Sequence, residues 1–142
     1  MFEIKIKTDF AAAHQLRGYP GNCERLHGHN YHVEVICQCE ELDKLGMGID
    51  FNILKGHIKS VVNELDHYNL NEKPYFIEIN PSAENIAKWF YGEISRKVND
   101  DRIKLVRIDI WETDFCCASY FETAQPSYSS LQSDEESDML KR

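Results

Sequence analysis

Alternating apolar and polar residues predict four β-strands in two pairs, one pair on each side of a central segment. The first pair lies around residues 2–6 and 31–39, and the second around residues 106–110 and 117–121. In the longer stretches, side chains of one parity are apolar and those of the other parity are largely polar. This period of two is typical of strands that bury one face and leave the other in solvent.

Between the strand pairs, apolar residues recur every three or four positions, which predicts two helices. The first begins after Asp50, which can cap it, and extends to Leu65. The second begins at Ser82, directly after Pro81. Because the strands are grouped rather than alternating singly with helices, the order ββααββ favours an α+β fold. We expect an antiparallel four-stranded sheet with both helices on one face.

Length, charge and cysteine content narrow the class of protein. The chain has 142 residues, which predicts one domain, and its formal charge of -8 argues against a nucleic-acid partner. No run approaches the roughly 20 apolar residues of a membrane-spanning helix, so no membrane association is expected. The five Cys have no framework-like spacing and follow no signal peptide, so we interpret them as reduced thiols of a cytoplasmic protein.

The last part of the chain, 123–142, differs in composition from the rest. It is rich in Ser, contains an acidic run at 134–136 and has almost no periodic apolar residues. This composition predicts a disordered tail. The folded domain is therefore expected to span 1–122.

Three of the six His are placed to meet at one point. His27 and His29 are two residues apart, so in an extended strand their side chains lie on the same face. If the first two strands pair antiparallel, His14 lies opposite them. Three imidazoles with a fourth position left open are typical of a catalytic zinc site. The alternative is that the His-x-His pair belongs to the surface or to packing.

Cys23 lies four residues before His27, in the same predicted loop. A bound zinc ion and nearby Arg25 would favour its reactive thiolate form. Alternatively, Cys23 is a fourth ligand that closes a structural Cys-His₃ site. The other cysteines are interpreted as packing residues: Cys37, Cys39, Cys116 and Cys117.

Two acidic side chains add candidate chemistry. Asp66 precedes His67 at the end of the first helix, where a carboxylate can orient an imidazole for proton transfer, although a helix end also favours His electrostatically. Glu112 continues the apolar parity of the third strand, so we expect its carboxylate on the buried face. A ligand with two adjacent N–H donors, such as a pterin or a guanine, would be its partner. The alternative is a strand end that turns into solvent.

Six blocks of sequence follow one another between residues 9 and 120. They are Asp9-Phe10-Ala11-Ala12-Ala13-His14, Cys23-x₃-His27-Gly28-His29-Asn30-Tyr31, Gly48-Ile49-Asp50-Phe51, Leu65-Asp66-His67-Tyr68-Asn69-Leu70-Asn71, Asn80-Pro81-Ser82-Ala83-Glu84-Asn85, and Trp111-Glu112-Thr113 followed by Tyr120. In this order they resemble the 6-pyruvoyl-tetrahydropterin synthase family. The resemblance implies the tunnelling fold, in which ββααββ subunits join edge to edge into a barrel, and two rings stack into a homohexamer.

The resemblance also implies a role for each candidate residue. It implies a Zn²⁺ ion with three ligands: His14, His27 and His29. It implies Cys23 as the catalytic base and Asp66 with His67 as its proton-relay partner. Glu112 would anchor the pterin ring of the substrate, and Ser82 would contribute to that site from a neighbouring subunit.

Spacing within the family implies a particular reaction. The Cys-x₃-His-Gly-His spacing is similar to that of bacterial 6-carboxy-5,6,7,8-tetrahydropterin synthase of queuosine synthesis, whereas a folate branch has Glu at the position of Cys23. This implies conversion of 7,8-dihydroneopterin triphosphate to 6-carboxytetrahydropterin, acetaldehyde and triphosphate, with uptake of one water molecule. The alternatives are the 6-pyruvoyl-tetrahydropterin synthase reaction, without carbon–carbon cleavage, and a non-catalytic zinc protein. The candidates for triphosphate contacts are Lys5, Lys7, Arg17 and Arg25.

Overall fold

The structure, a computed structural model, describes residues 1–123. Its strands and α-helices are β1 (Phe2–His14), β2 (His27–Cys39), α1 (Phe51–Val62), α2 (Ala83–Val98), β3 (Lys104–Thr113) and β4 (Cys116–Tyr120). The strands form one antiparallel sheet in the order β1-β2-β3-β4, so the predicted ββααββ fold is confirmed. Apart from its first residue, the predicted tail lies outside the described residues, and the domain boundary after residue 122 stays a prediction.

β1 and β2 form a long hairpin that ends in histidines. Each strand has 13 residues, and the register runs without a break from Phe2 opposite Cys39 to His14 opposite His27. The sequence predicted shorter strands because the apolar alternation of β1 weakens into a run of alanines. Ala12 and His14 nevertheless keep the buried parity. The hairpin therefore carries its inward-facing side chains as far as the histidines.

The two helices begin where the sequence predicted and cover the apolar face of the sheet. Asp50 accepts a hydrogen bond from the N–H of Asn52, and Ser82 Oγ accepts one from the N–H of Asn85. These bonds satisfy backbone donors that have no partner inside the helix. α1 ends before Leu65, earlier than predicted. Leu65 is still buried, in the turn that follows.

A β-bulge moves one predicted core residue out of the core. On β2, Ile36 lies opposite Arg107, whereas Cys37 lies opposite Leu105, so the register with β3 shifts by one residue. An extra residue in one strand reverses the parity of its side chains beyond that point. Leu105 is therefore buried and Val106 only half-buried. The apolar alternation over residues 106–110 predicted that Val106 faces the core, and this prediction was wrong because of the bulge.

The other face of the sheet is polar, as expected. Its Asp109 is buried, yet the carboxylate accepts hydrogen bonds from Arg107 Nη2 at 2.9 Å and from Ser119 Oγ at 2.5 Å. These partners compensate for the loss of water around the carboxylate. Across residues 1–123, no helix combines the length and the apolar character that a bilayer crossing requires.

Candidate active site

Three histidines meet where the β1–β2 hairpin opens. His14 is the last residue of β1 and lies opposite His27, the first residue of β2, while His29 lies two residues farther on the same face. One potential ligand atom from each imidazole lies within 4.8 Å of the other two. His14 is buried and the other two are half-buried. The structure thus brings together the three histidines that the sequence singled out as metal ligands.

Backbone carbonyls fix the orientation of two of these rings. The Pro81 carbonyl lies 2.7 Å from His14 Nδ1, and the Arg25 carbonyl lies 2.7 Å from His27 Nδ1. Because a carbonyl only accepts, each Nδ1 donates, and each neutral ring is left with a lone pair on Nε2. The two Nε2 atoms are 3.0 Å apart. Facing lone pairs repel each other, so this donor set fits a cation bound between them.

Burial keeps this site in a form that suits a metal. It lowers the pKa of His14, an effect that the Pro81 carbonyl and the Glu112 carboxylate partly oppose. Burial also lowers the pKa of His29, again opposed by Glu112. A lowered imidazole pKa favours the neutral ring, which is the form that coordinates metal ions.

Glu112 borders the site from β3. Its Oε1 lies 3.9 Å from His14 Nε2, and its side chain is 29% exposed. It therefore keeps the inward parity of Ile108 and Ile110 instead of turning fully into solvent. Among the described residues, no hydrogen bond is donated to its oxygens, which leaves them able to accept from a ligand.

Asp66 and His67 lie together at the free edge of β1. Asp66 Oδ1 accepts from the Ala11 N–H at 2.9 Å and lies 2.9 Å from His67 Nδ1. The Ala11 amide and then His67 lower the pKa of Asp66. His67 has a φ of 64°, in the left-handed region, and its N–H donates to the Ala11 carbonyl. Its exposed ring lines a cavity that His29 also lines, so an imidazole held by a carboxylate borders the same cavity as one of the metal-site candidates.

Cys23 lies apart from both groups. It is half-buried in a short 3₁₀ turn, Asn22–Glu24, and its carbonyl accepts from the N–H of Leu16. Its thiol is not one of the atoms in the three-histidine cluster. It is also absent from the lining of the cavity that His67 borders. Within one chain, then, the structure joins the predicted Asp66–His67 pair but does not place Cys23 beside it.

Sequence comparison identifies the protein family to which the chain belongs. A model of the 6-pyruvoyl tetrahydropterin synthase family matches residues 3–123. The chain belongs to this family. The match includes the three histidines, Cys23, Asp66, His67 and Glu112, and the predicted resemblance is confirmed.

Relatives of this protein align with most of the chain. The 6-carboxy-5,6,7,8-tetrahydropterin synthase of Synechocystis sp. is 35% identical over 126 residues, which are 85% of this chain and 94% of that protein. The dihydroneopterin monophosphate aldolase of Pyrococcus furiosus is 40% identical over 109 residues, or 77% and 88%. The solved structure of Caenorhabditis elegans 6-pyruvoyl tetrahydropterin synthase has a TM-score of 0.77 at 25% identity and covers 86% of this chain and 96% of that one. The predictions of an enzyme and of its fold are confirmed.

The segment around Pro81 supports both the start of α2 and His14, a candidate metal ligand. Ser82 caps α2, while Asn85 Nδ2 donates to the carbonyl of Asn80 and holds the approach to the helix. Pro81 then presents its carbonyl to His14. Sequence reasoning assigned Ser82 to substrate binding, whereas the structure shows it as a helix cap. Its contact with substrate stays a prediction.

Arg17 connects the loop that follows β1 to the segment 76–80. Its backbone N–H and Nε donate to Asn80 Oδ1, and its terminal nitrogens donate to the carbonyls of Phe76, Ile77 and Ile79. With its donors committed in this way, Arg17 is a poor candidate for the triphosphate contact that the sequence suggested. The three other cationic candidates stay predictions.

The four remaining cysteines divide into two kinds. Cys37 and Cys39 are buried, as predicted, and burial raises the pKa of Cys37 to about 12. Cys116 and Cys117 are exposed on β4, so the prediction that they are packing residues was wrong. β4 is an edge strand, and no described element covers its outer side. Sequence parity could not show that this strand lacks a neighbour.

Tyr31 is the site residue that sequence reasoning missed. It is fully buried, and its hydroxyl has no hydrogen-bond partner among the described residues. Its ring stacks on Phe10 and meets the edges of His14 and His29. In the sequence it counted as an apolar strand position and as the last residue of one family-like block, with no role in the site assigned to it. The available signal was a hydroxyl at a buried parity two residues after His29.

Proposed function

We propose that this protein is a zinc-dependent 6-carboxytetrahydropterin synthase. It converts 7,8-dihydroneopterin triphosphate and water to 6-carboxy-5,6,7,8-tetrahydropterin, with release of acetaldehyde and triphosphate. The observation that carries the proposal is the convergence of three imidazoles with the free carboxylate of Glu112 at their border. Relatives of this name, together with the Cys-x₃-His-Gly-His spacing, support the choice of reaction.

The three histidines would hold the metal through one nitrogen each. For His14 and His27 this nitrogen is Nε2, because their Nδ1 atoms donate to carbonyls. Three protein ligands leave a position open for substrate, as in catalytic zinc sites. A bound Zn²⁺ ion supplies Lewis acidity toward the oxygens of the substrate side chain.

Glu112 anchors the pterin ring. A carboxylate can accept two parallel hydrogen bonds, and a 2-amino-4-oxo-pterin presents two adjacent N–H donors. The position of Glu112, 3.9 Å from His14 Nε2, directs the side chain of a pterin bound in this way toward the histidines. Recognition of the ring thereby orients the reacting atoms.

Two groups of the chain move protons. Cys23, as a thiolate, removes a proton from the substrate side chain. His67 exchanges the second proton through Nε2, since its Nδ1 is engaged by Asp66. Because Cys23 and His67 are not neighbours within one chain, we propose sites between the subunits of a homo-oligomer. The resemblance implies a hexamer, and the interpretation of the cysteines as reduced thiols favours the cytoplasm.

Product analysis tests the reaction. The zinc-loaded full chain is incubated with 7,8-dihydroneopterin triphosphate, and we expect acetaldehyde and a carboxylated pterin in equal amounts. Triphosphate release without acetaldehyde would instead assign the 6-pyruvoyl-tetrahydropterin synthase reaction. Binding of zinc without any turnover would favour the alternative that the protein is a non-catalytic, structural zinc protein.

A second candidate follows from the Pyrococcus furiosus relative, which is 40% identical. An aldolase acting on dihydroneopterin monophosphate would cleave the side chain and keep the phosphate ester intact. The same assay with the monophosphate distinguishes the two functions. An aldolase forms a phosphorylated aldehyde from the monophosphate, whereas the synthase forms acetaldehyde from the triphosphate alone.

A further inference from the structure

The Tyr31 hydroxyl is buried without a partner. Among the described residues, it is the buried side-chain polar atom that no hydrogen bond satisfies, and the residue is 0% exposed. Such a hydroxyl lowers stability, because its bonds to water are lost and not replaced. A Phe side chain would make the same ring contacts without this cost. The hydroxyl therefore points to a state of the protein in which a partner is present.

The ring of Tyr31 cannot turn to find that partner. It stacks on Phe10 with ring centroids 4.8 Å apart and an interplanar angle of 10°. Its edges meet His14 and His29, with centroids 5.8 Å and 5.3 Å away. Packing on these sides fixes the direction of the hydroxyl. The partner must therefore come to Tyr31.

Glu112 is a hydrogen-bond acceptor close enough to become the partner of the Tyr31 hydroxyl. The register places His32 opposite Trp111, so continuing it by one residue makes Tyr31 and Glu112 cross-strand neighbours on the inward face. The Tyr31 hydroxyl, which has no acceptor, thus lies near the Glu112 carboxylate, which receives no hydrogen bond from the described residues.

We propose that Tyr31 is a positioning residue whose hydroxyl donates to the Glu112 carboxylate when a pterin occupies the site. This inference rests on the proposed function, in which Glu112 accepts two hydrogen bonds from the pterin. Each carboxylate oxygen has two lone-pair directions, so one oxygen can serve the pterin and Tyr31 together. The bond fixes the rotamer of Glu112, and it offsets the cost of the buried hydroxyl only in the bound state.

Tyr31→Phe tests the proposal, because it removes the hydroxyl and keeps the ring. In the ligand-free protein we expect the melting temperature to rise by about 2–4 °C, since the penalty disappears. In the zinc-loaded protein we expect the dissociation constant for neopterin, measured by its fluorescence, to increase about tenfold. Zinc affinity should not change, because Tyr31 acts through Glu112. A residue that merely supported the histidines would alter zinc affinity.

Two further variants complete the design. Glu112→Gln should itself weaken neopterin binding, and in that background Tyr31→Phe should add less than a twofold loss, since the two residues act as a unit. Tyr91→Phe is the matched control. The Tyr91 hydroxyl donates to the Leu105 carbonyl at 3.2 Å, so its removal should lower the melting temperature and leave neopterin affinity unchanged.

The outcomes separate this proposal from the function on which it rests. If Glu112→Gln weakens neopterin binding and Tyr31→Phe does not, the role of Tyr31 is wrong and the pterin site stands. If both variants weaken binding and their effects add independently, Tyr31 does not act through Glu112, and the proposal is again overturned. If the zinc-loaded wild type binds no neopterin, the proposed function itself fails.

Discussion

One carboxylate oxygen of Asp66 both anchors the local backbone and orients the His67 imidazole. Oδ1 accepts the Ala11 N–H of the sheet edge and also lies against His67 Nδ1. The first bond ties the turn after α1 to β1. The second orients the imidazole, so the position of the proton-transfer candidate depends on the same atom as the local structure. Acidification should therefore disturb both.

The acid stability of the protein should depend on Asp66. Its pKa is lowered in the folded state, so the unfolded chain takes up the proton first. The stabilisation is present above the ordinary Asp pKa and is lost as pH falls through the lowered folded value. We expect the free energy of unfolding of Asp66→Asn to fall less between pH 5 and pH 3 than that of the wild type, measured by urea titration. Asp101→Asn, in an exposed loop, is the control, and an equal fall in all three proteins would contradict the prediction.

Cys23 should be needed for turnover and not for metal. Its thiol does not belong to the three-histidine cluster, so Cys23→Ala should keep the metal content of the wild type. Loss of a general base should lower turnover by about 10²–10⁴-fold. Metal content per chain and triphosphate release measure the two effects. Cys117→Ala, at an exposed thiol on β4, should change neither, and loss of metal from Cys23→Ala would favour the closed Cys-His₃ site.

At the scale of elements, the start of α2 links helix stability to the site. Ser82→Ala removes the side-chain acceptor for the Asn85 N–H and should lower the free energy of unfolding by about 1 kcal/mol. Ser82→Asn should restore stability, because Asn is an equally good cap. Urea unfolding measures this difference. If Ser82 also contacts substrate, Ser82→Asn should still bind neopterin weakly, and full binding would leave Ser82 as a cap alone.

The strands and the helix starts were predictable from the sequence where a pattern of neighbouring residues determines them. Alternation and capping residues placed all four strands and both helix starts, because burial and capping depend on nearby residues. The bulge that exchanges Val106 for Leu105 was not predictable, since it depends on how β3 pairs with β2. The same holds for the Pro81 carbonyl at His14, a contact across 67 positions of sequence. Motif spacing located the histidines, whereas their tautomers required the fold.

At the scale of the whole molecule, the metal should act as a stabilising ligand. A ligand that binds only the folded state adds about 2.7 kcal/mol at 100 times its dissociation constant, or roughly 5–10 °C in melting temperature for a protein of this size. We expect this rise with Zn²⁺ in a thermal melt, and its reversal by a chelator. His27→Ala should remove most of the rise. His32→Ala, on the opposite face and 54% exposed, should keep it, and equal losses in both variants would contradict the assigned site.

The turn that carries His67 also divides the free edge of β1. The Ala11 N–H donates to Asp66, the Ala11 carbonyl accepts from the His67 N–H, and the Ala13 N–H donates to the Tyr68 carbonyl. By alternation, the outward backbone groups at positions 3, 5, 7 and 9 have no strand partner within residues 1–123, and all four residues are charged. A strand that adds to this edge can pair only up to the turn. The turn that carries the catalytic candidate His67 therefore sets the end point of any strand pairing at this edge, which limits the registers that an added strand can adopt.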